Sequence, residues 1–267
     1  VANTGSKRWY RPFIVVDGQT VYGTAIKFGV VLVDQGLPSG TLWADANLGA
    51  DQPTEKGDYY LWGETTAPKL KPSTSAYNTG NYALYGPNGL MDVGMDIAYT
   101  QYDVAHVNMG GLFAMPTVTQ MKELVANCTF VPENIDGVPG VWAVSNINGN
   151  QIFLPATGQW QSSSGAPYYY WDSRSSDVYL WTSSIQENTG GTNAYAHCFY
   201  TEYPSTPGST PSVYPNNTYY RWNGLCIRPV ALFNTTVLDG RQFYFESDSV
   251  AMHSEVPEAR LYAKARG

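Results

Sequence analysis

Charge is scarce in this sequence. Only 14% of its residues are charged, against roughly 25% in ordinary globular chains. The balance is acidic, with a net charge of -7, and no basic patch accompanies the aromatic residues. That excludes a nucleic-acid polyanion as the expected partner. No apolar run approaches the roughly 18–20 residues that a spanning helix needs, so the chain is not expected to cross a membrane. Three cysteines are too few for a disulfide scaffold, and no CxxC spacing supports a zinc site. The three histidines, His106, His197 and His253, lack metal-ligand spacing. Neither a Ser-His-Asp set nor a carboxylate pair stands out. No cofactor, metal or catalytic residue is therefore expected. No signal peptide is visible, and the chain starts at Val1 without Met, which points to a mature or trimmed chain.

Rings and turn formers are abundant. The 267 residues include 21 Tyr, 8 Trp, 26 Gly and 17 Pro, and 43% are hydrophobic, enough for a sizeable core. Many rings, few charges and many turn residues suggest a β-rich, loop-rich protein that is extracellular or on a cell surface. "FIVVDGQTVYG" reads as a hairpin turning at Asp17-Gly18, and "VWAVSNINGNQIFLPATG" as another turning at Asn148-Gly149. Pro116 to Cys128 reads as the main helix. Thr117 and Gln120 form a capping-box pattern, and Met121, Leu124, Val125 and Cys128 share one face. Tyr102 to Gly111 suggests a second, short helix ended by glycine. Later residues read as short strands and long loops: "YYYWDS", "VYLWTSS", "AYAHCFY", "GLCIRPVALF". "VYPNNTYY" reads as a loop leading into the last of these strands. The fold class expected is α+β, with two short helices, small antiparallel sheets and long loops.

The order of "DQGLPSGTLWADANLGA", "GDYYLWGET", "AHVNMGGLFAMPT", "ELVANCTF", "IFLPATG", "YLWTSS" and "GLCIRPV" resembles a family of gut-bacterial surface proteins. That family has a C-type lectin fold, shared with formylglycine-generating enzymes and with the variable proteins of diversity-generating retroelements. The resemblance runs from Val30 to Ala231. The family often carries Trp-Arg where this chain has Phe113-Ala114, and Trp where it has Met121. The resemblance implies a lectin-like domain over residues 30–232, with 1–29 as N-terminal strands or linker and 233–267 as a C-terminal extension. It also implies a diversified binding segment just before the last core strand, here about Ser183 to Ile227.

Composition bears on that segment independently. Between Val178 and Tyr220 the only charged residues are Glu187 and Glu202, and Tyr, Ser, Thr, Asn, Gly and Pro dominate. Antibody paratopes have this composition, because Tyr and Trp give large contact area at low entropic cost. The binding face is expected over residues 183–223. Tyr219, Tyr220 and Trp222 are its leading contacts, with Tyr214, Asn188 and Glu202 beside them and Asn223 at its end. If Phe199 is core, strand alternation turns Tyr195 and His197 inward, and Ala196, Cys198 and Tyr200 outward into the face. His197 is then a partly buried, hydrogen-bonded histidine. Arg228 is expected to fix the end of the core strand.

The expected function is non-enzymatic binding of a protein or glycan on a cell or phage-host surface, as in a retroelement-diversified variable protein. A fixed glycan-binding adhesin or pilus-tip module is the alternative, with Trp171 and Trp222 as stacking residues. A thiol-dependent enzyme of the formylglycine-generating class is another, because outward parity would bring Cys198 and Cys226 onto one surface as neighbours. Trp222-Asn223 matches part of the calcium-binding sequence of sugar-binding lectins, and Pro132-Glu133-Asn134 scrambles the other part. Gly224 replaces the needed acid, so calcium is not expected.

Overall fold

Short runs of β-formers, cut by turn residues, give this chain many small sheets. The computed structural model describes residues 8–10, 13–16, 19–22, 26–28, 31–67, 82–110, 113–162, 169–171, 177–187, 193–204, 209–232, 234–238 and 241–245. Strands β1 (Arg8–Tyr10), β2 (Phe13–Val16), β3 (Gln19–Tyr22), β4 (Ile26–Phe28), β5 (Leu32–Asp34), β6 (Leu42–Ala44), β7 (Tyr60–Leu61), β8 (Tyr85–Gly86) and β9 (Gly89–Leu90) precede helix α1 (Val104–Met109). Strand β10 (Phe113–Ala114) leads to helix α2 (Val118–Asn127). Then come β11 (Cys128–Ile135), β12 (Val138–Ser145), β13 (Gln151–Pro155), β14 (Trp160–Ser162), β15 (Tyr169–Trp171), β16 (Val178–Ile185), β17 (Tyr195–Thr201) and β18 (Val213–Tyr220). The last four are β19 (Gly224–Leu225), β20 (Val230–Ala231), β21 (Asn234–Leu238) and β22 (Arg241–Phe245). Among the described residues the architecture is α+β and sheet-rich, with two helices.

The sheets are antiparallel, in the orders β10-β20-β6-β5, β11-β12-β13, β15-β14-β19-β7 and β16-β17-β18. Towards the termini, β1 pairs with β4, β2 with β3 and β21 with β22. β2 and β3 flank the expected first turn, with Val16 opposite Gln19, while Asp17 and Gly18 lie outside the described residues. The turn at Asn148-Gly149 links β12 and β13, with Gly149 at φ 77°. A further hairpin, β11–β12, turns at Asp136 (φ 51°) and Gly137 (φ 87°), both in the left-handed region that Asp-Gly tolerates. Reading "VPENIDG" as a partial calcium sequence obscured that turn signal.

Both helices start where the capping chemistry places them. Thr117 Oγ1 accepts from Gln120 N at 3.1 Å, and Gln120 Oε1 accepts from Thr117 N at 2.9 Å, closing the capping box. Met121 and Leu124 are fully buried; Val125 packs on the same core. Asp103 caps α1 through Ala105 N and His106 N, and also accepts from Tyr99 N and Met115 N. Desolvation raises its pKa, opposed by these amides. Gly110 ends the helix at φ 95°.

The three-stranded sheet β16-β17-β18 divides two cores. One face carries Val178, Leu180 and Phe199 into a core with Met121, Leu124, Phe130, Val141 and Leu154. The other carries Tyr179, Trp181, Ala196, Cys198 and Tyr200 into a core with Trp62, Ile97, Val104 and Met115. Every residue of β16 is buried. Each large apolar side chain so buried contributes roughly 1.5–3 kcal/mol.

Arg228 ties the sheets together. It is fully buried, and its guanidinium donates to Asn47 Oδ1 (2.8 Å), Ala44 O (3.0 Å), Asp45 O (2.7 Å) and Phe153 O (2.8 Å). Burial lowers its pKa to about 9. These bonds hold the chain after β6 and the strand β13 to the approach of β20. Arg228→Met should therefore lower unfolding free energy by about 3–5 kcal/mol, because several buried acceptors lose their donor. Arg228→Lys should rescue little, since an ammonium cannot span that fork. Urea denaturation tests this; a loss below about 1 kcal/mol contradicts it.

Candidate functional site

The site is built on β17 and β18. The segment read as a loop, "VYPNNTYY", is the edge strand β18, where Val, Thr and Tyr favour pleated backbone. It pairs with β17 in a register that sets Tyr195 opposite Tyr220, Ala196 opposite Tyr219 and Tyr200 opposite Tyr214. Its outer edge is blunted: Pro215 has no N–H, and the Thr218 N–H donates to Asn217 Oδ1 at 2.9 Å. Recognition here falls to side chains rather than to strand addition.

Two ring ladders rise from this pair of strands. In one, Tyr220 stacks between Tyr195 (4.4 Å, 28°) and Trp222 (4.5 Å, 16°). Tyr220 is 39% exposed. Tyr195 and Trp222 are half-buried, and Trp222 packs against Leu61, Tyr82 and Leu84. In the other, Tyr200 stacks between buried Tyr179 (4.8 Å, 25°) and Tyr214 (5.6 Å, 15°), which is 47% exposed. The Tyr200 hydroxyl donates to Glu202 Oε1 at 2.6 Å, and its pKa is raised, chiefly by burial. In the first ladder the exposed ring is held between two half-buried ones, and in the second it lies at the open end of two buried ones, so stacking rather than charge fixes it.

The expected outward turn of Ala196, Cys198 and Tyr200 is corrected: all three are buried in the second core. The alternation is as expected, but the face that carries Ala196, Cys198 and Tyr200 is covered by the second core, so that parity does not reach solvent. The expected inward turn of Tyr195 is also corrected: it lies on the Phe199 face, but at the start of β17 opposite exposed Tyr220, and is only half-buried. Ser183 and Ser184, at the start of the expected face, are also buried, and Ser184 Oγ donates to Asp96 Oδ2 at 2.7 Å. Tyr219 is half-buried, edge-on to Tyr179 at 5.6 Å. Asn223 is fully buried, with neither side-chain amide atom hydrogen-bonded. Glu202 is exposed. Asn188 lies outside the described residues. His197 is half-buried, with Nδ1 3.3 Å from Asn216 O, and desolvation lowers its pKa.

The cysteines are not paired. Cys128, Cys198 and Cys226 are free and buried. The expected neighbouring of Cys198 and Cys226 is corrected, because β16 runs between them. Trp181 pairs with Cys198 on one side, and its N–H donates to Cys226 O (2.9 Å) on the other. Two strand spacings, roughly 9–10 Å, exceed the roughly 7 Å limit for a disulfide. Burial raises all three thiol pKa values, that of Cys128 to about 11. Among the described residues no three His, Cys, Asp or Glu side chains converge as a metal site, and no helix is long and apolar enough to cross a membrane.

Arg221 was given no role in the sequence, yet it sits between the ladder residues Tyr220 and Trp222. It is fully buried, 4.8 Å over the Trp62 ring and 5.6 Å from that of Tyr82. Its Nε donates to Tyr82 Oη at 3.1 Å. The "YRWN" spacing, with a cation between two rings of one strand end, was the available signal.

The chain matches no family model, no curated protein and no solved structure. The site is therefore read from its own geometry.

Native protein at neutral pH should leave all three thiols unreactive towards an aromatic disulfide reagent, with three equivalents released after unfolding. A rapidly labelled thiol in the native protein would contradict the buried placement.

Proposed function

We propose that this chain is a non-enzymatic ligand-binding protein with a C-type lectin fold, secreted or displayed on a cell surface. Its ligand face is the exposed part of residues 193–223, centred on Tyr195, Tyr220 and Trp222 and extending to Tyr214 and Glu202. The observation that carries this reading is the exposed, pre-stacked ladder at the edge of a sheet packed on both faces. Rings already ordered in the free protein lose little entropy on binding, and clustered exposed rings mark contact surfaces. The motif order and paratope-like composition support the narrower reading, a variable protein diversified by a retroelement. The deeply buried thiols with raised pKa values give no support to a thiolate nucleophile.

The test is a screen of the wild-type protein against arrayed glycans and displayed cell-surface proteins, followed by Tyr220→Ala and Trp222→Ala. Each substitution should weaken whatever binds by at least about tenfold, with the far-ultraviolet circular dichroism unchanged. Binders that ignore both substitutions would refute the placement of the face. A single reproducible sugar, held through Trp222, would favour the fixed adhesin.

A further inference from the structure

A buried cation with no anion among the described residues, Arg221, lies in the turn that carries Trp222. Arg221 makes hydrogen bonds only to neutral groups: Tyr82 Oη, and the main-chain carbonyls of Met91 (3.3 Å) and Asn193 (3.4 Å). No carboxylate pairs with it among the described residues. Glu64 is near enough to influence Tyr82, but its Oε1 accepts from Ala83 N at 2.8 Å. The guanidinium is unevenly used. The Nε side is engaged by Tyr82, Nη1 makes two long bonds, and buried Nη2 has no partner. The underused edge is the Nη1–Nη2 fork, the geometry that accepts a carboxylate through two parallel bonds. In the same turn, both amide atoms of fully buried Asn223 are also unpartnered. Native structures rarely leave such groups unsatisfied, and a buried charge is normally paired.

The surroundings state what kind of anion fits. Met91, whose carbonyl covers Nη1, is 44% exposed, and Tyr220 and Trp222 flank Arg221 in sequence. Methionine, aromatic rings and arginine are the residues enriched at protein–protein contacts. Arg221 is fully buried, so a ligand meets the fork only by displacing the Met91 and Asn193 carbonyls bonded to Nη1, and a carboxylate on a short methylene stem needs a smaller opening for this than one fixed to a sugar ring.

We infer that Arg221 receives an acidic side chain of a protein ligand, whose flanking apolar residues rest on Met91, Tyr220 and Trp222. The entering carboxylate replaces the two long bonds to Met91 O and Asn193 O and takes Nη1 and Nη2 together. This rests on the ligand face proposed above and names its partner as a protein.

The test uses a displayed random-peptide library as the probe, selected on the wild-type chain. The expected result is enrichment of Glu or Asp next to apolar residues. Replacing that Glu by Gln in a selected synthetic peptide should weaken binding by at least about thirtyfold, whatever the fate of any protein variant. Selection on Arg221→Gln should lose the acidic preference, and Arg221→Lys should keep part of it. If selected peptides need Tyr220 and Trp222 but show no acidic preference, the inference about Arg221 is overturned while the ligand face stands. If no selected peptide depends on Tyr220 or Trp222, the face itself fails. Acidic glycans bound in preference to every peptide would overturn the choice of a protein partner.

Discussion

The described structure depends on the burial of β16 from both sides. Its eight residues, Val178–Ile185, are all buried, and its two faces enter separate cores. Because β17 lies against it, the inner residues of the site strands, Ala196, Cys198 and Phe199, are packed without help from the surface. β18 then closes the sheet at its edge with Tyr214, Asn216 and Tyr220 exposed and its other residues half-buried. Local stability can be supplied by the core while the outer residues answer to a ligand. Loss of Tyr214 forfeits one stacking contact and loss of Tyr220 two, each worth about 0.5–1.5 kcal/mol. Loss of Phe199 leaves a cavity worth about 3–5 kcal/mol.

Much of the scaffold was legible because its signals are local. The capping box of α2 needs only Thr117 and Gln120, and the β12–β13 hairpin needs only the turn at Asn148-Gly149. Arg228 was readable as an anchor because a lone arginine inside "GLCIRPV" must find buried acceptors. The site was legible only in part. Tyr219, Tyr220 and Trp222 stood out because so many neighbouring rings cannot all enter one core, yet Tyr219 is the one that turns in, edge-on to Tyr179, while Tyr214, a lesser candidate, is the more exposed. Ala196, Cys198 and Tyr200 were placed outward because alternation fixes which residues share a face, not how many faces are covered. That second fact comes from α1 and the segments around Trp62 and Ile97, distant in sequence. Tyr195 was missed because alternation does not say where along a strand the core beneath it ends, and Arg221 because its surroundings come from Tyr82, Met91 and Asn193.

This division of labour suits a binding surface better than a reaction centre. The groups with reactive chemistry, the thiols of Cys198 and Cys226, are held where burial disfavours their charged forms. The exposed groups along β18 and the end of β17 are Tyr214, Asn216, Tyr220 and Glu202, the rings, amide and carboxylate on which the proposed ligand face rests. The edge that would invite non-specific strand pairing is closed by Pro215 and by the Asn217 side chain. What the edge leaves exposed is the rings of Tyr214 and Tyr220, beside half-buried Tyr195 and Trp222.

The most direct measurement is saturation mutagenesis of residues 193–223, scored for folding by protease resistance on display. The account predicts that nearly any residue is tolerated at exposed Tyr214, Asn216 and Tyr220, that half-buried Trp222 accepts mainly other large apolar or aromatic residues, and that Ala196, Cys198 and Phe199 accept few substitutions. If changes at Tyr220 unfold the protein as readily as changes at Phe199, the ladder is part of the core and the presented surface does not exist.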